Sequence, residues 1–564
     1  MTETLEITTE QINDLPLLLG IVEDMGIRQM IDARMRPHGG WQGISVGTVV
    51  SIWLCHLLME RDHRLVSVRD WAAARAGTVN ALWGITLRET DLTDDRLANA
   101  LTMLSDAADQ AAVDHALLAD WIQVYALPTK TVRLDSTSVS VYHDDPAPAG
   151  LLRRGHSKDH RPDLAQFKAM LASLDPLGLP VALQVVPGNQ ADDGLYVPAY
   201  DAAVRALGTA DVLVVGDSKR GARPTRAHIA AKKSAYLCAY RPAGATAAIE
   251  GWIEEALAHP ARWQDLRAVD ERPGELTTLA VLDAWERDQQ EGDTVWTERV
   301  LVVRSAQMQA GVRRTRERTL ARVADQLALL QRPPGRGRTV YRTRAALGAV
   351  VTGLLTAARL EDVVQVDLRE ETRPDGSARW TVGAIAVDRA AWTRMVERLG
   401  WHVYVTNTTA DPYTAPALVD AYRHQVIQER GFARLKTRNL HIRPVYLSDE
   451  RRIAGLTWLL CLALRVLTLT EYRLRTALQQ RGETLAGLNP ASRTQTTLRP
   501  TTERVIAVFQ NITRTALALP AATLTHVTPL TPVQDHIIAL LDLPADLYVR
   551  LAAPAPQPLV HLRE

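Results

Sequence analysis

Cysteine is scarce in this 564-residue sequence. The three cysteines, Cys55, Cys238 and Cys461, are odd in number, far apart and without CxxC spacing. We therefore expect neither a disulfide framework nor a structural zinc site, and we expect the reducing cytoplasm as the location. The chain also does not open with a charged segment followed by an apolar one, so we predict no export signal.

Lysine and long apolar runs are also in short supply. Only seven of the 65 basic residues are lysines. We interpret them as candidate positions for a compact ammonium, with chance survival on a solvated face as the alternative. The most apolar run, residues 453–464, spans about 12 residues between two arginines and is too short to cross a bilayer. It predicts a buried core helix, and we expect no membrane partner.

The composition is that of a globular protein, with 46% hydrophobic and 23% charged residues. At this length we expect three or four folding units. The net charge of +1 conceals large differences between segments. We expect the positively charged middle of the chain and its helical C-terminal part to contact any phosphate backbone. The net charges are −9 for residues 1–125, +3 for 126–240, −8 for 245–300, +9 for 301–344, +4 for 422–440 and +4 for 441–564.

Hydrophobic periodicity divides the chain into five predicted parts. Residues 1–125 are expected to form an all-helical domain. Residues 126–240 follow the order β-β-β-α-β-α-β, which is that of a ribonuclease H-like α/β core. Residues 241–400 predict an inserted α+β domain that contains the basic segment 304–344. The core is expected to resume at 401–440 with one long helix from residue 414, and 441–564 should be mostly helical.

Two aspartates occupy predicted strands of this core. Asp135 lies in Val-Arg-Leu-Asp-Ser-Thr-Ser-Val, and Asp217 ends the strand predicted at 212–216. The first and fourth strands of such a sheet can be adjacent, which would bring the two side chains together. Close carboxylates repel unless a cation lies between them, and Mg²⁺ prefers oxygen ligands. The alternative is that each aspartate caps a turn at a strand end.

A third carboxylate lies in the long helix predicted from residue 414. A seven-residue spacing places Tyr422, Glu429 and Lys436 on one helical face. This face would carry a phenol, a carboxylate and an ammonium at the edge of the buried side. The alternative is an amphipathic helix with solvated charges. The stripe also includes Gln425 and Phe432, and its apolar partners are Val426 and Leu435.

With these residues the sequence resembles the DDE transposases of bacterial insertion sequences, in the group with a Tyr-x2-Arg-x3-Glu-x6-Lys signature. The resemblance covers about residues 90–440. Gln425 stands where the family has its Arg, and Arg423 lies nearby on another part of the helix. The other matching segments are Leu-Asp-Ser-Thr at Asp135, Gly-His-Ser-Lys-Asp-His-Arg-Pro-Asp at 155–163, Pro-Gly-Asn-Gln-Ala-Asp at 187–192 and Gly-Asp-Ser at 216–218.

The resemblance implies an enzyme that cleaves the ends of its own insertion sequence and joins them to target DNA. Asp135, Asp217 and Glu429 would bind two Mg²⁺ ions, for which Mn²⁺ can substitute. One ion would activate water or a 3′-hydroxyl, and the other would stabilise the leaving oxygen. Two alternatives stay open: a ribonuclease H-like DNA nuclease without strand transfer, and an inactive DNA-binding derivative.

Double-stranded DNA, both element ends and target, is the expected partner. Family analogy suggests that residues 1–125 recognise the element ends. Their net charge of −9 opposes this, and dimerisation or docking is the alternative. The signature residues would hold flanking phosphates and an extruded base, as in relatives that resolve a DNA hairpin. Two ends cut in concert need two active sites, so we expect a homodimer on DNA. The candidate DNA contacts are Tyr422, Arg423, Gln425 and Lys436 of the signature, Lys158 and Lys168 near the first strands, and Arg313, Arg314, Arg316 and Arg318 of the basic segment.

One further polar cluster lies between the first two predicted strands. Its acidic and imidazole side chains could form a second metal site, but their spacing fits no ligand motif. A polar loop explains the segment more simply. The residues are His143, Asp144, Asp145, His156, Asp159 and His160.

Overall fold

The computed structural model describes residues 6–37, 39–143, 149–216, 221–242, 244–266, 279–332, 339–373, 376–492, 494–519 and 523–552. The chain forms two compact units. The first contains Met1–Leu237, Glu291–Thr294 and Ala421–Glu564, and the second contains Cys238–Gln290 and Val295–Asp420. The five-part division of the sequence stays a prediction.

The first unit begins with a strand, β1 (Glu6–Gln11), so the expectation of an all-helical 1–125 region is wrong. This strand pairs antiparallel with residues 513–518, and a short segment with so distant a partner leaves no local signal. Gly26, at φ 68°, divides the helical pattern over 17–30 into two helices. The helices of this region are α1 (Leu15–Asp24), α2 (Ile27–Arg34), α3 (Val46–Glu60), α4 (Leu65–Ala73), α5 (Ala76–Trp83), α6 (Asp94–Met103) and α7 (Ala107–Val124).

The predicted order β-β-β-α-β-α-β is confirmed in residues 131–239. The elements are β2 (Thr131–Val141), β3 (Ala165–Leu174), β4 (Leu179–Pro187), α8 (Tyr196–Leu207), β5 (Leu213–Gly216), α9 (Arg223–Ala231) and β6 (Ala235–Ala239). The strands follow the order β4-β3-β2-β5-β6. Strand β2 is antiparallel to β3 and parallel to β5, so the first and fourth core strands are adjacent, as predicted. Every residue of β3 is buried.

The second unit combines helices and strands, as expected for residues 241–400. Its strands β7 to β9 and β12 follow the order β12-β9-β8-β7, while β10 and β11 form a separate hairpin. The hairpin packs with α11 and α12 around Val323, Leu327 and Leu347. The elements are α10 (Thr246–Ala258), β7 (Gln264–Leu266), β8 (Leu279–Glu291), β9 (Thr294–Ser305), α11 (Ala306–Gln331), α12 (Arg344–Ala358), β10 (Val364–Thr372), β11 (Ala378–Val387), α13 (Arg389–Glu397) and β12 (Trp401–Thr406).

The C-terminal part contains the longest helix, α16 (Glu450–Arg481), with 32 residues. It is long and apolar enough to cross a bilayer, but 94% of its most apolar window is buried inside the protein, as in a core helix. In the described residues of this part, four strands accompany the expected helices. Strands β13 and β14 pair with each other, and β15 joins β1 and β16 in a small sheet. The other elements are α14 (Ala415–Arg423), α15 (Val426–Ala433), β13 (Leu485–Ala486), β14 (Thr496–Thr497), α17 (Thr502–Val508), β15 (Thr513–Ala518), β16 (Thr523–Val527) and α18 (Pro532–Leu540).

Candidate active site

Asp135 lies in the middle of β2, opposite Leu171 of β3. Its side chain is 22% exposed, and its Oδ1 accepts a hydrogen bond from the Ser136 backbone N–H at 2.7 Å. Among the described residues, the parallel pairing of β2 with β5 runs as far as Arg133 and Val215. Asp217, two positions after Val215 in the sequence, lies outside the described residues. The structure therefore locates one of the two strand aspartates.

Helix α15, which carries Glu429, packs on this strand pair. The Gln428 amide donates to the Leu171 carbonyl at 3.4 Å. Phe432 is buried with Leu171 and Cys461 in one apolar cluster. Because Leu171 is the cross-strand partner of Asp135, the helix lies over the sheet at the level of Asp135. The Glu429 side chain is exposed.

The single helix predicted over 414–440 is wrong. The chain breaks between α14 and α15 at residues 424–425, and after α15 a π-helical turn spans Arg434–Arg438. In a continuous helix the Ala421 carbonyl would accept from the Gln425 N–H. Here the guanidinium of Arg133 donates to that carbonyl, and Arg133 is itself held by Asp175 at 2.7 Å. A buried side chain from β2 thus stands where the helical bond would form.

The break and the π-helical turn change the predicted stripe of Tyr422, Glu429 and Lys436. Leu435 and Phe432 are buried as expected, but Val426 is 64% exposed, so its assignment to the buried edge is wrong. A constant 100° per residue does not hold through a break and a π-helical turn. The alignment of the three signature side chains on one face therefore stays a prediction.

Two lysines face the carboxylates beside β2. The ammonium of Lys158 lies 3.3 Å from Asp135 Oδ1 and donates to the Ser136 carbonyl at 2.5 Å. It is also 4.0 Å from Asp192 Oδ2. Lys168 is buried and pairs with Asp192 at 2.7 Å, so the expectation that Lys168 faces DNA is wrong.

Lys436 contacts an aspartate of the polar loop. Its Nζ donates to Asp159 Oδ1 at 2.8 Å, and Arg443 donates to Asp159 Oδ2 at 3.0 Å. Burial lowers the pKa of Lys436, although the Asp159 carboxylate opposes that effect. The pairing of Asp159 with two cations favours the polar loop over a second metal site. Asp144 and Asp145 lie outside the described residues.

A cationic pocket lies beside Lys436. At its edge Tyr142 is 64% exposed, with the Arg161 guanidinium 5.8 Å from its ring centroid. The pocket is lined by Ser140, Tyr142, Arg161, Lys436, Thr437, His441, Arg443 and Pro444.

Of the remaining signature residues, Tyr422 and Gln425 are half-buried and Arg423 is exposed.

The basic segment of the second unit forms helix α11. Arg314 and Arg318 are exposed. Arg313 is exposed as well but forms an ion pair with Glu317 at 2.8 Å, and Arg316 donates to the Ala358 carbonyl at 3.1 Å. Arg313 and Arg316 therefore have partners inside the protein, whereas Arg314 and Arg318 have none among the residues that the structure describes.

In the described part of the chain, no three His, Cys, Asp or Glu side chains form a group that could hold a metal ion. Of the predicted triad, Asp135 and Glu429 are described and Asp217 is not. The described donors are carboxylate oxygens, which are the ligands that hard divalent cations prefer.

The ion pairs that hold α15 were not predicted from the sequence. Arg430 and Arg434 reach Glu471 of α16, and Arg434 also binds Glu503 of α17 at 2.7 Å. Their four-residue spacing places both arginines on one helical face, which is the only local signal for this contact. Their acidic partners come from a later part of the chain and carry no motif.

Comparisons with known proteins give a family. A model described as a transposase DDE domain matches residues 128–466, and a domain of unknown function (DUF4277) matches residues 7–115. No curated protein matches. One similar solved structure is a piggyBac transposase synaptic complex with hairpin DNA, determined by cryo-EM. It has 7% identity and a TM-score of 0.33 over 96% of this chain and 83% of that chain. That likeness is too distant to carry a conclusion, but the domain match covers more than half of the sequence, and the chain belongs to the DDE transposase family.

Proposed function

We propose that this transposase cleaves the ends of its own insertion sequence and joins them to target DNA by metal-dependent phosphoryl transfer. Asp135, Asp217 and Glu429 are the proposed metal ligands. The observation that carries the proposal is the packing of α15 on β2 and β3. Through Leu171, this packing puts the helix of Glu429 at the level of Asp135 on the sheet.

The strand order supports a ribonuclease H-like catalytic core. Counted within the core, the order is third, second, first, fourth, fifth, with the fourth strand parallel to the first. Asp135 lies two positions after Arg133, and Asp217 lies two positions after Val215, the residue that pairs with Arg133. This equal count supports assigning the two aspartates to one site.

The residues present fit a divalent cation. A cation, the Lys158 ammonium, already lies 3.3 Å from the Asp135 carboxylate, so this position stabilises positive charge. Asp135 and Glu429 offer oxygen donors, and Asp217 would complete the set. When bound, two such ions activate the attacking hydroxyl and stabilise the leaving oxygen. The choice between Mg²⁺ and Mn²⁺ is part of the proposal.

The cationic pocket and helix α11 are the proposed DNA contacts. In the pocket, Lys436 and Arg443 share one carboxylate, Asp159, so two cations face a single negative charge. The remaining positive charge can bind a phosphate close to the scissile bond. On α11, Arg314 and Arg318 can neutralise phosphates without breaking contacts with the described residues.

The decisive experiment uses a duplex that carries the terminal repeats of the element. Wild-type protein should produce nicked and joined products with Mg²⁺ or Mn²⁺, bind without cleavage in Ca²⁺, and show no cleavage in EDTA. Cleavage that persists in EDTA would overturn the metal mechanism. Cleavage without any joined product would favour a nuclease without strand transfer.

The stoichiometry of the complex is tested on the same duplex. We propose a homodimer on paired ends, because each end needs its own active site. Light scattering of the paired-end complex should find two protein chains. One chain per paired-end complex would contradict the dimer.

A further inference from the structure

A buried cluster of charges lies behind helix α15. The Glu471 side chain of α16 is 6% exposed, and three guanidinium groups converge on its carboxylate. Arg430 reaches it at 2.8 Å from α15, Arg434 reaches it from the π-helical turn, and Arg475 reaches it at 2.5 Å from α16 itself. Arg434 also binds Glu503 of α17 at 2.7 Å.

Such a cluster is unusual in a protein interior. Taking charges out of water is costly, and apolar residues of similar volume often stabilise a fold as well or better. Burial alone would lower the pKa of Arg434, but Glu471 and Glu503 raise it above the ordinary value, so the guanidinium stays charged. Charged groups kept at this cost specify geometry more than they add stability.

The cluster bears directly on Glu429. Helix α15 has only eight residues, with a break before it and a π-helical turn after it, so it cannot define its own orientation. Its contact with the sheet consists of the apolar packing of Phe432 and one long hydrogen bond from Gln428, at 3.4 Å, and such contacts leave rotation weakly defined. Arg430 is the next residue after Glu429, and it is fixed on the side facing α16.

We propose that Glu471 is a positioning residue for Glu429: by binding Arg430 and Arg434 it sets the rotation of α15 and thus the direction of the Glu429 carboxylate. This inference rests on the proposed function, in which Glu429 is a metal ligand. Glu471 itself need not touch metal or DNA. Partners that orient a ligand commonly change metal affinity or activity by about 10- to 100-fold when removed.

The test compares the loss of the Glu471 carboxylate with the loss of one of its arginine partners. Glu471→Gln breaks the link to α15, whereas Arg475→Met removes a partner that lies on α16 and leaves both links intact. For Glu471→Gln we expect the Mn²⁺ concentration at half-maximal cleavage to rise by at least about 10-fold. We expect end binding in Ca²⁺ to fall less than the Mn²⁺ dependence shifts, because of the proposed DNA contacts only Lys436 lies in residues 426–438, and Asp159 also holds it. Arg475→Met should keep the wild-type Mn²⁺ dependence.

Hydrogen exchange supplies a readout that needs no catalysis. Amides of residues 426–438 should exchange faster in Glu471→Gln than in wild type, and those of β2 and β3 should not change. Arg430→Met is the second variant in case Glu471→Gln fails to fold, because Arg430 is 38% exposed and tolerates substitution. It should reproduce both effects to a smaller degree.

The inference is overturned if Glu471→Gln keeps the wild-type Mn²⁺ dependence, or if Arg475→Met shifts it equally. It is also overturned if exchange at 426–438 is unchanged in both Glu471→Gln and Arg430→Met. Glu429→Gln is assayed in parallel for the proposed function. If Glu429→Gln still cleaves, the metal assignment fails, while the exchange result still reports whether Glu471 holds α15.

Discussion

The positive charges of the active-site region and of helix α11 are arranged in opposite ways. Beside β2, Lys158, Lys168 and Lys436 each contact an aspartate at 2.7–3.3 Å. On α11, Arg314 and Arg318 are exposed. Paired, half-buried charges are held in one place, whereas exposed charges attract a polyanion without defining its position. We therefore expect the first region to define geometry, whereas the proposed DNA contacts on α11 would supply general affinity.

The largest effect is expected from the carboxylates of the first region. Asp135→Asn or Glu429→Gln should lower cleavage by more than about 100-fold, since an amide binds a metal ion poorly. End binding measured in Ca²⁺ should be retained. Asp211→Asn is the matched control, because Asp211 pairs with Lys130 at the surface and its side chain is 74% exposed. Near-normal cleavage by either variant would remove that residue from the site.

Asp14 is a carboxyl group without a cationic hydrogen-bond partner, and we expect the fold to keep it protonated rather than ionised. Asp14 is buried and its Oδ2 has no hydrogen-bond partner, and burial, followed by the nearby Glu60, raises its pKa to about 7. The folded state therefore binds a proton that the unfolded state releases above its ordinary pKa. The stabilisation is complete below about pH 4 and is lost as the pH rises towards 7, with a slope of up to about 1.4 kcal/mol per pH unit.

Asp14→Asn should remove this slope. Urea unfolding at pH 5 and pH 7 measures it, and the variant should lose less stability than wild type between the two values. The His56 imidazole, whose pKa burial lowers to about 4, is common to both proteins and cancels in the difference. Equal slopes in the two proteins would show that Asp14 is ionised in the fold.

Lys158 is expected to compete with a metal ion for Asp135. Lys158→Met should increase Mn²⁺ affinity, measured by calorimetry without DNA, by roughly 5-fold, which corresponds to about 1 kcal/mol for one nearby charge. Lys130→Met serves as the control, because Lys130 pairs with Asp211 at the surface. Weaker Mn²⁺ binding by Lys158→Met would mean that the ammonium supports the site instead of competing for it.

The smallest effect is expected on α11, and it separates the two pairs of arginines. Arg314→Gln with Arg318→Gln should reduce the slope of log affinity against log salt by about one unit per lost phosphate contact. Arg313→Gln with Arg316→Gln should change it less, since those side chains have protein partners. Equal slopes for wild type and the Arg314 and Arg318 variant would make α11 a solvated face.

Most of the core was predictable from residue patterns. Strands β2 to β6 coincide with segments of alternating polar and apolar residues or with apolar runs bounded by turns. Their order along the chain is therefore visible in the sequence. The lysines were also informative. Of the six that the structure describes, three contact aspartates around Asp135, consistent with positions that prefer an ammonium. Lys219, the seventh, lies outside the described residues.

Errors arose where distant segments meet. Strand β1 was missed because its hydrogen bonds go to β15, about 500 positions later in the chain. The helix from residue 414 was predicted as continuous because hydrophobic periodicity contains no sign that the Arg133 guanidinium of β2 binds the Ala421 carbonyl. In both cases a backbone group bonds to a partner that local sequence does not contain.

The sequence by itself determined the family and the order of the core elements, and it indicated the candidate residues of the site, because periodicity and motif spacing are local properties of the chain. Only the tertiary structure decided which aspartate each lysine pairs with, where the signature helix breaks and what holds α15. Those features depend on contacts such as Arg434 with Glu471, which form once the folded backbone removes both groups from water.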